Sequence, residues 1–373
     1  MRRSFRYRLY PTRQQERAMK QMLDTHRQLY NRALAERRDA WAQEQRRVRY
    51  GEQSARLKLD RLTDPSLAQT NFSSCQATLR RLDKTFHAFF RRVHRGEQAG
   101  YPRFKGQDRF RTVEFPSHGD GCKLDGNRVY FQHIGRVRIV LHRPSTGTIK
   151  TLAFTRRANA WYVIVSCDLR DEPPAKPDGP VVGIDVGLET FATFSTGEQI
   201  ANPRFFRQDE QALAHAQRRM SKQANGTPER QYHQRIVRRI HARIANRRKD
   251  FAHKLSRRLV NEFGAIVFED LNITRMIKNH RLAKSIADAA WYQLVRYTQY
   301  KVEETGAVCV QIDPRGTSQR CSACGTVVQK DLSVRVHHCP VCGLEIDRDL
   351  NAALNIKAVG LYSLGHASEK PLP

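Results

Sequence analysis

No stretch of this chain approaches the roughly 20 consecutive apolar residues that a membrane-crossing helix needs. Its first residues, Met1-Arg-Arg-Ser-Phe-Arg-Tyr7, lack the apolar core of a secretory signal. No internal repeat is visible, so the fold is not an array of stacked identical units. Acidic residues are in short supply. Lys plus Arg number 66 and Asp plus Glu 37, so the formal charge is 66 − 37 = +29, and the pI is near 10.3. A compact particle this basic repels itself unless it neutralises a polyanion, and the nucleic-acid backbone is the obvious one. A basic membrane-surface protein is the competing reading. Without an apolar anchor, the expectation is a nucleic-acid partner, no membrane, and a cytosolic or nucleoid setting.

Cysteine is also sparse, with eight residues in 373. Cys75, Cys122, Cys167 and Cys309 stand alone among apolar or loop residues and read as inert thiols. The other four form Cys321-Ser-Ala-Cys324 and Cys339-Pro-Val-Cys342. Two CxxC pairs place four soft thiolates on two tight knuckles, as tetrahedral Zn²⁺ requires. Fourteen residues, Gly325 to His338, separate the pairs, enough for a small β-hairpin. Two disulfides or four unrelated thiols are the alternative, which a doubled CxxC in a cytosolic-looking chain argues against. His337 and His338 could replace a ligand, but four cysteines already close the site. Such a site holds a fold together and does no chemistry.

Residues 4–10 alternate Phe5, Tyr7 and Leu9 with basic side chains, the pattern of a half-buried strand. Pro11 ends it, and Thr12 with Gln15 resembles a capping box opening a helix through Leu34. Residues 36–65 are highly charged and read as exposed helix plus loop. A second helix is expected from Phe72 to about Val93, with a basic face carrying Arg80, Arg81 and Lys84 that suits phosphate contact. Gly100–Lys105, with Tyr101, Arg103 and Lys105, is a loop able to stack on bases and touch phosphates. Residues 128–169 read as short strands of a small barrel that strand 4–10 would join. Asp171–Pro180, rich in proline, is the clearest linker.

After it, Val181–Gly187 is an apolar strand carrying Asp185, and Thr190–Phe194 is the next strand. A long basic helical region spans about 209–262 and includes Arg247 and Arg248. Strand Ala265–Phe268 ends in Glu269-Asp270, a helix near 289–304 leads to strand 307–312, and Asp347-Arg-Asp349 opens a last helix. The tail after Leu361 reads as disordered.

Asp185, Glu269 and Asp349 each lie where an apolar strand ends or a helix begins. A lone acid in such a place is often a helix cap or a paired core charge. Three of them in a chain of charge +29 suit a nuclease instead. Two Mg²⁺ ions about 4 Å apart, shared by carboxylates, can activate water and stabilise the leaving oxygen. The order strand–Asp, strand–Glu, helix–Asp matches an RNase H-like fold.

Together, Val181–Gly187, Phe268-Glu-Asp-Leu271, Thr317–Gly325 and Asp347–Ile356 resemble the TnpB family of transposon-encoded RNA-guided nucleases, relatives of type V CRISPR effectors. Tyr10-Pro-Thr, the Gly100–Lys105 loop and Arg243–Arg248 fit the same family. The resemblance implies a multidomain fold, α/β plus all-β, in which an RNase H-like (RuvC) nuclease carries a zinc-ribbon insertion and a small wedge β-barrel carries a helical recognition insertion. It implies boundaries of 1–12 with 106–172 for the barrel and 13–105 for the recognition insertion. The linker would be 173–180, the nuclease 181–316 with 346–358, the ribbon 317–345, and the tail 359–373. It also implies Asp185, Glu269 and Asp349 as the catalytic acids holding Mg²⁺, with Asp347 a neighbour or cap and Asp270 structural. A guide RNA from the transposon end and double-stranded target DNA would be the partners of a chain expected to be monomeric. A nuclease-inactive RNA-guided repressor is one alternative, disfavoured by the intact acids. A guide-independent transposase or resolvase is another, for which no separate strand-transfer motif is present.

Overall fold

Strand β1 (Arg2–Tyr10) buries Phe5, Tyr7 and Leu9 and turns its arginines outward, as the alternation requires. The computed structural model describes residues 2–158, 160–169, 179–331 and 334–365. The chain divides into two units, Met1–Asp171 and Glu172–Pro373. Most of the proline-rich segment expected as a linker lies outside the described residues.

In the N-terminal unit, Pro11 ends β1 and Thr12 caps α1 (Arg13–Glu44) through a capping box with Gln15. Then come α2 (Tyr50–Thr63), α3 (Pro65–Ala68) and α4 (Phe72–His94). Six strands follow: β2 (Thr112–Phe115), β3 (Cys122–Asp125), β4 (Arg128–Phe131), β5 (Gly135–Val140), β6 (Thr148–Arg157) and β7 (Ala160–Asp168). The seven-stranded sheet has the order β2-β6-β7-β1-β5-β4-β3, with β1 between β7 and β5.

That sheet rolls. β2 and β4 stand five places apart in the hydrogen-bond order, about 24 Å in a flat sheet at roughly 4.8 Å per strand. Yet the rings of Phe115 on β2 and Phe131 on β4 lie 5.4 Å apart, and Phe154 on β6 meets both. Only a curled sheet lets side chains from such distant strands share one core.

The charged segment 36–65 is more ordered than its composition suggests. α1 continues unbroken to Glu44 because Arg37 is buried, donating to Gln53 of α2 and to Asp83 of α4. The buried His26 bridges α1 to α4, with one ring nitrogen on Thr78 at 2.9 Å and the other on Ser74 at 3.2 Å. Burial, aided by Arg81, pushes its pKa down to about 3, so the ring is neutral.

The C-terminal unit is built on β8 (Val181–Asp185), β9 (Thr190–Phe194) and β10 (Gln199–Ala201). The long basic region is two helices, α5 (Phe205–Ser221), which ends at the C-cap Lys222, and α6 (Pro228–Glu262), which Thr227 caps after the left-handed Gly226. β11 (Ala265–Glu269) is followed by α7 (Ile273–Met276), α8 (Ala283–Ala289), α9 (Trp291–Thr305) and β12 (Val308–Ile312). The hairpin β13 (Val336–His338) and β14 (Glu345–Asp347) runs straight into α10 (Arg348–Ser363). α10 thus covers the first residues of the tail expected to be disordered. The rest, 366–373, lies outside the described residues.

The sheet order is β10-β9-β8-β11-β12, with β8, β11 and β12 parallel and β9 and β10 antiparallel. An antiparallel three-strand meander extended by two parallel strands is the RNase H-like arrangement. Among the described residues no helix is long and apolar enough to cross a membrane.

Candidate active site

Two adjacent parallel strands end side by side. β8 and β11 pair in the register Val267↔Gly183 and Phe268↔Ile184, so Asp185 and Glu269 occupy neighbouring final positions. Such strand ends are where α/β sheets place their ligands. The third acid, Asp349, lies in the first turn of α10, whose N-cap Asp347 accepts from the Asp349 and Leu350 amides at 2.9 Å each. Asp347 therefore serves as a cap. Asp270 is exposed and accepts a long bond from Gln311, 3.4 Å.

Glycine makes the meeting possible. A Cβ on Gly183 would come 2.2 Å from the Ala353 carbonyl oxygen, and one on Gly360 would meet Val267 at 2.3 Å. One bare position on β8 and one on α10 let the helix lie directly on the central strands and bring Asp349 to the sheet.

Asp185 senses both of the other carboxylates. Asp185 is pushed up to about 8, chiefly by burial and then by the charges of Glu269 and Asp349. Burial raises Glu269, and a hydrogen bond from Thr317 partly opposes it. Burial and Asp347 raise Asp349, while Arg335, 3.9 Å away, and Arg348 pull it down. A cation between them would offset that desolvation and repulsion, and their hard oxygen donors suit Mg²⁺ or Mn²⁺. The donor chemistry therefore fits a divalent ion.

The four cysteine sulfurs lie within 4.8 Å of one another. Cys321 and Cys342 are 3.6 Å apart, and Cys324 and Cys339 are 3.5 Å apart. Tetrahedral zinc with bonds near 2.3 Å separates its sulfurs by about 3.8 Å. A disulfide needs about 2.05 Å, so the sulfurs are not two cross-links, and their spacing is that of a tetrahedral four-sulfur site able to hold a metal ion such as zinc. Both knuckles close alike, with Gly325 and Gly343 donating to the carbonyls of Cys321 and Cys339. Both glycines have φ in the left-handed region, +78° and +73°. Among the described residues no other set of three such side chains converges this closely, so the acids form a looser cleft than the sulfurs. His337 is buried on β13 with Lys330 against its Nδ1, and His338 is exposed.

Three residues inside the family-like motifs, to which the sequence assigned no role, tie the two centres together. Thr317 donates its hydroxyl to Glu269 Oε1 at 2.5 Å. Asn351 and Asn355 of α10, both buried, hold the carbonyls of Thr317 and Arg320 and the amide of Ser322.

The basic residues expected at a nucleic-acid surface divide. Arg80 and Lys84 are exposed, with Arg80 donating to the Tyr50 hydroxyl. Tyr101 and Arg103 line a cleft of about 390 Å³ with Leu34, Arg38, Pro102 and Phe104. Lys105 is clamped through its backbone by Asn31 and lies over the Tyr30 ring. Arg247 stacks on Phe205 at 4.8 Å and contacts Gln208. Arg81 and Arg248 do not fit the expectation. The Arg81 guanidinium is desolvated against Phe110 and donates to the Thr112 carbonyl of β2. Arg248 donates twice to Asp288 Oδ1, which also caps the Phe206 amide at the start of α5. Both arginines are committed to the interior because their partners, remote in sequence, are buried there.

Three family models match this chain: "Probable transposase" over 164–280, "Cas12f1-like, TNB domain" over 291–356, and "Helix-turn-helix domain" over 1–46. The last region holds one strand and one continuous helix in the structure. A putative RNA-guided DNA endonuclease from Streptomyces pristinaespiralis is 38% identical, across 97% of this chain and 90% of its own length. The chain belongs to the TnpB family. Another TnpB-family relative, the putative RNA-guided DNA endonuclease InsQ of Escherichia coli K12, is 29% identical over 96% of the chain and 92% of its own length. Among solved structures, a Cas12f1–sgRNA–target DNA complex aligns with a TM-score of 0.57 at 14% identity, covering 92% of this chain and 82% of that one. That likeness establishes a shared fold.

Proposed function

We propose that this TnpB-family chain is an RNA-guided DNA endonuclease of a transposable element. It would hydrolyse DNA phosphodiester bonds at guide-matched sites beside a short transposon-adjacent motif. The reading rests on the convergence of Asp185, Glu269 and Asp349 from two strand ends and one helix start, in a chain of charge +29. A basic protein that gathers three acids where a polyanion must bind is equipped to place cations between them and phosphate. The relatives' names supply the guide RNA and the DNA as partners.

In this reading Asp185, Glu269 and Asp349 are the catalytic acids and, once deprotonated, would hold divalent magnesium. When bound, the metal supplies Lewis-acid stabilisation of charge on the attacking and leaving oxygens. Asp185, pushed up to about 8, would have to release its proton to hold a cation. Asp347 fixes the helix start that aims Asp349, and the ribbon residues support Glu269 from behind. The rolled sheet of residues 2–10 and 112–168 would be the wedge and the helices of 13–94 the recognition insertion. The exposed Arg80, Lys84, Tyr101 and Arg103 would face nucleic acid. The protein would act in the cytoplasm, at the nucleoid.

The test is to purify the protein expressed with its native flanking locus and sequence the RNA that accompanies it. The complex is then offered a plasmid library with randomised flanks in Mg²⁺. A discrete RNA and cuts beside one motif are expected, and the Asp185→Ala protein should keep the RNA and lose only the cuts. A discrete RNA without cuts would establish the repressor instead, and undiminished cutting by pure Asp185→Ala protein would overturn the site.

A further inference from the structure

Thr317 touches two parts of the acid site at once. Its hydroxyl lies 2.5 Å from Glu269 Oε1, and its carbonyl accepts from Asn355 of α10 at 2.8 Å. Asn355 also donates to the Arg320 carbonyl at 2.7 Å, as does Asn351, which in turn accepts from the Ser322 amide at 2.9 Å. All five bonds lie on residues 317–322, the segment that enters the first zinc knuckle at Cys321. All are shielded: Thr317, Asn351 and Asn355 are 6%, 0% and 8% exposed. The same helix carries Asp349 in its first turn.

We propose that Thr317 is a positioning residue through which the zinc ribbon sets the spacing of two of the three acids. Its hydroxyl fixes the Glu269 carboxylate, and its carbonyl, through Asn355, fixes the helix of Asp349. The inference rests on the proposed reading of the acids as the divalent-metal site. Its physical basis is general. A carboxylate that must hold a metal needs a defined rotamer, and a hydroxyl donating to one oxygen leaves the other free to turn to the ion. Thr317 Oγ1 has one hydrogen, and a second acceptor, the Pro314 carbonyl, lies 3.0 Å away. The shorter bond to the carboxylate takes it. Loss of the hydroxyl leaves Glu269 buried, without that donor and free to rotate, while the zinc sulfurs, held by their own knuckles, are untouched.

The experiment compares full-length wild type, Thr317→Val, which keeps the shape and drops the hydroxyl, and Thr317→Ser, which restores it. Zinc content is measured by elemental analysis, Mn²⁺ binding to the zinc-loaded, RNA-free chain by calorimetry, and target binding and single-turnover cleavage on the guide-loaded complex. The expected result for Thr317→Val is full zinc, unchanged target affinity, and Mn²⁺ affinity and cleavage rate both lowered about 10- to 100-fold. Thr317→Ser should recover most of both. Wild-type Mn²⁺ affinity in Thr317→Val would overturn the proposal. So would zinc loss in Thr317→Val, which would make the residue a structural part of the ribbon. If wild type does not cut, yet Mn²⁺ binding still falls in Thr317→Val and returns in Thr317→Ser, the positioning role stands and the endonuclease reading falls.

Discussion

Gly183 of β8 lies against the backbone of Ala353 in α10, where a methyl group would come 2.2 Å from the carbonyl oxygen and 2.4 Å from the Lys357 amide nitrogen. Replacing a strand glycine by alanine ordinarily helps, because the unfolded chain loses freedom. Here the helix backbone stands in the way and cannot swing aside as a side chain would. Gly183→Ala is expected to cost about 1–3 kcal/mol by overpacking and to lift Asp349 away from Asp185. Denaturant unfolding measures the first effect and cleavage the second. A stabilised, fully active variant would show that α10 does not sit as described.

Arg248 gives a prediction opposite to the one its charge suggests. Its partner Asp288 has a side chain only 5% exposed and caps α5 as well. Arg248→Ala leaves a buried carboxylate without its cation, which costs about 3–5 kcal/mol. Thermal unfolding should fall sharply. The salt dependence of RNA binding, which counts phosphate contacts, should keep its slope at temperatures where the variant is folded. A shallower slope with normal stability would return Arg248 to the nucleic-acid surface.

His26 makes the N-terminal unit acid-sensitive. Its folded pKa of about 3 lies below the ordinary 6.5, so the unfolded chain binds the extra proton. Its contribution is fully present above pH 6.5 and is lost as pH falls from there toward 3. His26→Gln keeps a polar side chain without the titration. The urea midpoint of wild type should fall more steeply between pH 7 and pH 4.5 than that of the variant. Parallel slopes would mean that the imidazole is solvated.

Zinc removal is the fourth test. Cys321→Ser should lose the metal and unfold the ribbon, because the knuckle has no apolar core to fall back on. Metal analysis and limited proteolysis read the result, and a full complement of zinc in that variant would refute the four-sulfur site.

Local chemistry made much of this legible. Phe5, Tyr7 and Leu9 alternate because one face of β1 is buried, and Asp185 and Glu269 end apolar runs that could only be central strands. The doubled CxxC stands out for the same reason, since its spacing carries the geometry. What escaped depends on partners far along the chain. Arg37 looks solvated until Asp83 and Gln53 meet it, and Arg248 until Asp288 does. Thr317 sits among small polar residues and Asn355 between Leu354 and Ile356, and nothing in their neighbours announces that one will face Glu269 and the other will hold the first. The glycine after each CxxC was visible in the sequence, and its left-handed turn is the signal that could have been used.

The placement of α10 has a consequence for the order in which the protein is made. A ribosome that has released β8 and β11 has produced two acids at the edge of a sheet whose other face is still bare. The helix that covers Gly183 and delivers Asp349 emerges only after α5, α6, α9 and both zinc knuckles. The nascent chain therefore carries an incomplete acid set for most of its synthesis. On the proposed reading, the acid set is complete only once α10 has docked.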